Sequence, residues 1–309
     1  MKLNAPLRTL GLACIGLMGA ASLANAQAIQ GLRSTTPGAR ANGMGGTFIA
    51  IADDASAAIS NPAGLGILTR PQVYAELTSA ETTTNFDAFG TETDERATSL
   101  SFASASAPVS NKMTVGAVYY EFLRTKGEGP GGTFDFTGRS IGISAAANAT
   151  STLKVGATLT IDQIKSSGTL AGSDDKAAGF EVGGLWQANE KVSVGLTGAH
   201  GSEEAGNISH VGGGVAVRPT SQLLISADVL RLQSGFDVTE MHFGGEYAIP
   251  GQSGTLLLRA GAFTASNDPD HEDRSGTFGV GYAAKSKFQV DLAFVTKHKR
   301  IVASAGVRF

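Results

Sequence analysis

From Arg70 onward the chain alternates apolar and polar residues with a period of two, the mark of strands with one greasy face and one polar face. In KFQVDLAFV, Phe288, Val290, Leu292 and Phe294 share a face, opposite Lys287, Gln289 and Asp291. LKVGATLTID sets Leu153, Val155, Ala157, Leu159 and Ile161 against Lys154, Gly156, Thr158, Thr160 and Asp162. MHFGGEYAI sets Met241, Phe243, Tyr247 and Ile249 against His242, Gly244 and Glu246. In KVSVGLTG, Val192, Val194 and Leu196 oppose Ser193, Gly195 and Thr197. Such runs predict fourteen strands, beginning near Val73, Thr98, Thr114, Ser140, Lys154, Ala178, Val192, Ser209, Leu223, Thr239, Thr255, Thr277, Phe288 and Ile301.

A soluble sandwich gives the same alternation. Three features favour a transmembrane antiparallel β-barrel instead. The strands run about ten residues, the length that crosses a bilayer at a tilt. The connections fall into two kinds. Short turns recur near Ser110, Ser151, Asn189, Thr220, Gln252 and Lys285, a repeating hairpin. Between them lie longer polar stretches: SAETTTNFDAFGTETDER, TKGEGPGG, SSGTLAGSDD and SNDPDHEDR. Short turns on one rim and longer loops on the other describe an outer-membrane barrel. The chain also ends in IVASAGVRF, where Ile301, Ala303, Ala305 and Val307 alternate up to Phe309, resembling the terminal signal read by bacterial barrel-assembly machinery.

Composition narrows the choice. Charged residues are 17% and apolar residues 42%, which excludes disorder. The 24 basic and 27 acidic residues leave no basic excess for nucleic acid. Glycine is 41 of 309 residues, nearly twice the roughly 7% of average usage. Gly116, Gly142, Gly156, Gly183, Gly195, Gly213, Gly244, Gly261, Gly279 and Gly306 fall inside strand patterns. Either the missing side chains leave room for something in the lumen, or they relieve crowding at bends.

Residues 1–26 read as an export leader: Lys2 and Arg8, an apolar run from Leu10 to Leu23, and Ala24-Asn25-Ala26 as the cleavage site. Cys14, the one cysteine, has Gly11 where a lipidation box wants Leu, so cleavage is favoured over lipidation. Residues 27–70 do not alternate. They are rich in small residues and too long for a structureless loop in a compact domain.

This stretch resembles the FadL family of outer-membrane transporters for long-chain fatty acids and other hydrophobic compounds. The matching pieces are Gly38-Ala39-Arg40, Ile51-Ala52-Asp53-Asp54-Ala55, Asn61-Pro62-Ala63 and Arg70-Pro71. The resemblance implies a fourteen-strand barrel over residues 71–309, corked by a hatch over residues 27–70 whose movement opens the ligand path. GMGG followed by DDA and NPAGL also resembles the PorV-type relatives that serve protein secretion. Outer loops here are short, and Thr78 to Arg96 lacks a helical apolar face, so an external capture groove is not expected.

Candidate residues follow. Asp53, Asp54, Asn61, Pro62 and Ala63 are the plug or gating candidates. Asn61 before Pro62 is biased away from helix and its amide can bond nearby backbone. Buried Asp53 and Asp54 need partners, for which inward-facing Arg308, Lys154 and Arg259 are available. These pairs either anchor the plug or gate it. Met44, Phe48, Ile49 and Ile51 either line a ligand pocket or pack against the wall. The segment GEGPGG after the third strand is either a break in strand pairing, opening a lateral exit, or an ordinary outer loop. Lys297 to Arg300 (KHKR) are placed to meet the acidic NDPDHED loop or lipopolysaccharide phosphates. His200, His210, His242, His271 and His298 show no zinc spacing. No catalytic motif is present, so no enzyme, cofactor or metal is expected.

The leading expectation is passive uptake of small hydrophobic ligands, with partners in outer-membrane lipid, lipopolysaccharide and the assembly machinery. A secretion-accessory barrel binding other proteins is the runner-up. An open porin is the third, with Lys154, Asp228, Lys287, Asp291 and Arg308 lining its bore.

Overall fold

The computed structural model describes residues 36–309 apart from 87–90, 130–131, 169–172, 204–205, 234–236, 267–271, 286 and 297–298. The leader, and the acidic stretch 267–271, lie outside the described residues. Two short helices, α1 (Ala39–Gly43) and α2 (Ala57–Ser60), and a 3₁₀ turn (Pro62–Ile67) come first. Fourteen strands follow among the described residues: β1 (Gln72–Phe86), β2 (Thr91–Ser110), β3 (Met113–Gly129), β4 (Gly132–Asn148), β5 (Leu153–Gly168), β6 (Ser173–Gln187), β7 (Val192–Glu203), β8 (Gly206–Val217), β9 (Leu223–Gln233), β10 (Asp237–Pro250), β11 (Gly254–Ser266), β12 (Glu272–Ala284), β13 (Phe288–Val295) and β14 (Arg300–Arg308). Each pairs antiparallel with its neighbours, and β1 pairs with β14 from Gln72↔Arg308 to Ser79↔Ile301. The sheet closes on itself through that last pairing, as a barrel does.

The alternation sorts the two faces as expected. Leu159, Ile161, Ile141, Leu196 and Phe278 point outward and are each at least 60% exposed. Phe288, Val290, Leu292 and Phe294 are exposed on β13, while Asp291 between them is buried. An exposed apolar surface this continuous needs an apolar surrounding. The inner face buries Glu76, Thr158, Asp228, Glu240, His242, Glu246, Arg259 and Arg300.

Several strands exceed the ten residues expected. Those that follow a long connection start earlier: β2 at Thr91 rather than Thr98, and β4 at Gly132 rather than Ser140. The apolar alternation stops there, but the β1–β2 ladder runs on from Ala80↔Ala97 to Phe86↔Thr91, through a stretch rich in threonine, a residue suited to strands. GEGPGG does not break the β3–β4 pairing, which runs on through Gly127↔Phe134 to Gly129↔Gly132; Pro130 and Gly131 lie outside the described residues.

Candidate functional site

Residues 36–70 are too small-residue rich to form a domain of their own, and the ring of strands supplies their core. Met44, Phe48, Ala50, Ile51, Ala55, Ala58 and Leu65 pack with inward Tyr74, Phe102, Val118, Ala146, Ala216 and Leu224. The inner wall is shaped for this segment. Six of the ten glycines named above face it: Gly156, Gly183, Gly195, Gly244, Gly261 and Gly279. A Cβ at Gly183 would overlap Asn61 Oδ1, one at Gly195 the Ile49 carbonyl, and one at Gly244 the Met44 carbonyl. The other four face neighbouring strands or side chains, as at Gly116 against Ser106.

An irregular segment in a closed space leaves backbone groups without partners unless side chains supply them. Here the wall supplies them. Asp228 on β9 accepts from the N–H groups of Phe48 (2.7 Å) and Ile49 (2.9 Å). Thr277 accepts from Gly45 N at 2.8 Å and donates to the Gly43 carbonyl at 3.1 Å. Ser193 donates to the Ala50 carbonyl (2.7 Å) and Ser104 to the Ala55 carbonyl (2.8 Å). His242 Nδ1 lies 2.6 Å from the Gly45 carbonyl, which can only accept, so this nitrogen carries the proton; Nε2 faces Glu240 at 3.2 Å. The turn between α1 and Phe48 depends on Gly45 and Gly46, with φ of 71° and 86°.

Asn61 is fully buried and extended (φ −163°, ψ 94°), the conformation favoured before proline. Its Oδ1 accepts from Ala63 N at 3.2 Å, capping the 3₁₀ turn that Pro62 begins. Its Nδ2 donates to the Ile49 carbonyl (2.8 Å) and, across to β6, to the Gly184 carbonyl (3.2 Å). Pro62 and Ala63 rest on Gly156.

A chain of charges crosses the lumen. Arg40 grips Glu246 on β10 with two parallel bonds of 2.9 Å and also pairs with Asp53. Arg259 on β11 donates to Glu246 at 2.7 Å and stands 2.7 Å from Asp291 on β13. Burial alone would lower the Arg40 pKa, but Asp53 and Glu246 outweigh it and raise it well above the ordinary arginine value. Asp53 also faces Arg218 at 3.7 Å. Asp54 accepts from Ser56 N (2.8 Å) and Ser56 Oγ (2.6 Å). Burial, followed by the negative charge of Asp53, nonetheless raises the Asp54 pKa from its ordinary value.

The expected partners of these aspartates were others. Arg259 serves Glu246 and Asp291, Lys154 Nζ donates to Gln187 at 2.9 Å, and Arg308 is exposed at the rim, as is Lys287. Arg40, a neighbour within the same segment, reaches Asp53 first. Arg300 of the KHKR run turns inward and donates to Asn42 Oδ1 at 2.9 Å; Lys297 and His298 lie outside the described residues. Asp228, His242, Glu246 and Arg218 carry much of the arrangement. A titratable residue in the middle of an inward strand face was the signal that could have found the first three.

The wall is not paired throughout. Among the described residues the β2–β3 ladder runs from Ser110↔Met113 only up to Phe102↔Tyr120, although both strands continue toward the long-loop rim. At that height β2 carries an extra residue, Ser101, in its ladder with β1, and β3 carries an extra residue, Phe122, in its ladder with β4. Bulges of this kind bend a strand and end its pairing on one side. Inward rings line up below the opening: Tyr74–Phe102 at 6.0 Å, Phe102–Tyr120 at 6.3 Å and Tyr120–Phe122 at 6.2 Å between centroids. A cavity of about 40 Å³ sits there, lined by Asn42, Glu76, Ser101, Tyr120, Glu121 and Arg300 among others. A second cavity, of about 260 Å³, lies at the short-turn rim and shares no lining residue with the first; Ile51 lines it, whereas Met44, Phe48 and Ile49 are buried against the wall.

The sequence matches no family model and no curated protein. Solved structures do match. The toluene transporter TodX of P. putida superposes with a TM-score of 0.69 at 16% identity, covering 89% of this chain and 99% of that one. The Ralstonia pickettii toluene transporter TbuX gives 0.67 at 17% identity over 89% and 99%. A Pseudomonas aeruginosa FadL homologue gives 0.65 at 11% identity over 89% and 98%. At such identities the likeness speaks for the fold: this chain is a closed barrel of the fold that the FadL-family transporters share.

Proposed function

We propose that the protein is an outer-membrane channel for passive uptake of small hydrophobic compounds, with residues 27–70 as a plug in the bore and residues 1–26 as a leader removed on export. The greasy outer face suits a bilayer, and outward Trp186, Tyr247, Phe288 and Phe309 sit at the short-turn end, where barrels carry an aromatic girdle. Phe309 serves assembly, and lipid and lipopolysaccharide surround the wall.

One observation carries the reading: the β2–β3 ladder ends beside a run of four inward rings. The bore itself is packed with small side chains and with buried polar and charged groups, a poor route for a hydrocarbon. The ring ladder is an apolar surface that leads from the lumen to an unpaired stretch of wall, at the level of outward Leu77 and Leu100. A hydrophobic molecule follows it sideways into the membrane without crossing water. The similar structures named for toluene and monoaromatic hydrocarbons favour one-ring compounds as cargo over long-chain fatty acids. Asn61, Pro62 and Ala63 keep the plug seated, and Asp53 and Asp54 belong to its latch.

The test is to delete Phe122, which removes the extra residue and lets β3 pair evenly. Toluene and labelled fatty-acid uptake are compared in cells lacking the native copy. A fall of toluene uptake by at least about tenfold, with the folded barrel still resistant to detergent unfolding, is expected. Unchanged uptake would count against the lateral route. No uptake by the wild type would favour the secretion-accessory reading, to which the many bonds holding the plug also belong.

A further inference from the structure

The larger cavity, at the short-turn rim, lies away from the ring ladder and the β2–β3 opening. Its floor is aliphatic: Ala50, Ile51 and Leu185 are buried, and Ile67 closes one side. Its remaining lining is polar: Asp53, Gln187, Glu190, Ser193 and Arg218. Three of these groups are already committed. Ser193 Oγ donates to the Ala50 carbonyl, Gln187 Oε1 accepts from Lys154, and Asp53 is held by Arg40. Arg218 is held loosely. Its ion-pair distance to Asp53 is 3.7 Å, longer than a hydrogen bond, and its side chain is 38% exposed. Asp53 therefore keeps its main partner when Arg218 turns away.

A guanidinium is a planar fork that matches a carboxylate with two parallel bonds. Set over an aliphatic floor, it selects a carboxylate on an apolar body. Size points to one ring, since a dry cavity of about 150 Å³ holds benzene and this one offers about 260 Å³. Two negative groups oppose an anion here. Asp53 is offset by Arg40, and Glu190 is exposed at the rim, where salt screens it.

We infer that this cavity binds small aromatic carboxylates, with Arg218 as the clamp on the carboxylate and Ile51, Ile67 and Leu185 as the floor for the ring. The inference rests on the uptake reading for its physiological sense: it adds an acid to the hydrocarbon cargo and places its site on the side opposite the long loops.

The test is calorimetric titration of the full barrel in detergent with benzoate. The wild type binds benzoate, more weakly as salt rises. Arg218→Gln, a change in a turn outside every strand ladder, weakens binding by at least about tenfold. Glu190→Gln, which removes an opposing charge, tightens it. The site is overturned if the wild type gives no binding at millimolar benzoate, or if Arg218→Gln binds as the wild type does while both keep the folded band on a gel. Toluene uptake separates the two claims. Benzoate binding without toluene uptake sinks the channel reading and leaves the site; uptake without benzoate binding does the reverse.

Discussion

Asn61 makes three hydrogen bonds from a side chain with no exposure, two within the N-terminal segment and one to the barrel wall. Asn61→Ala strands the Ile49 carbonyl and the Ala63 N–H, a cost of about 1–3 kcal/mol for each buried group left unpaired. The expected outcome is a barrel that still assembles but conducts ions in a planar bilayer, where the wild type is quiet. The Asn-Pro pair announced an extended residue bonding to backbone. The Gly184 contact was not legible, because it joins positions 123 residues apart. Asp54 makes a pH prediction. Its pKa in the fold lies above the ordinary 3.8, so the seated segment binds that proton more tightly than the free chain. Its contribution to seating is complete below pH 3.8 and is lost as pH rises through the raised value. Protease access to the segment should therefore increase with pH, and Asp54→Asn, which keeps the Ser56 acceptor, should flatten that dependence.

At the level of the strand, the period-two alternation was enough to find fourteen elements and to assign their faces. Inside and outside differ so strongly in polarity that a one-residue slip would put Asp291 or Glu246 outside. Strand ends at the long connections were not legible, since β1 and β2 go on pairing through polar residues to Phe86↔Thr91 after the apolar pattern has stopped. Of the two readings of GEGPGG, the break in pairing does not occur there; the unpaired stretch lies on the other side of β3, where two bulges shift register. A bulge adds one residue without any glycine or proline to announce it. The face assignment makes its own prediction. Leu292→Arg, on the outer face and 48% exposed, should cost about 2–4 kcal/mol at the bilayer midplane. Gln289→Ala, on the inner face, should leave the denaturant midpoint nearly unchanged, since it loses only a bond to Asp291. Equal tolerance of both would reverse the assignment.

Across the whole molecule, glycine enrichment and the non-alternating stretch turn out to be two sides of one arrangement. The wall omits side chains at Gly156, Gly183, Gly195, Gly244, Gly261 and Gly279 where the segment's backbone comes close, and offers polar groups where that backbone needs partners. Either observation alone left two readings open, because a sequence does not say which distant strands meet the segment. The central claim is that this segment closes the bore, so that hydrocarbons pass by the wall rather than through an aqueous channel. Liposome swelling with a small sugar tests it most directly, comparing the full protein with a variant lacking residues Gly38 to Gly64. The account predicts tight liposomes with the full protein and rapid swelling with the variant; equal swelling rates, with both proteins folded in the bilayer, would contradict it.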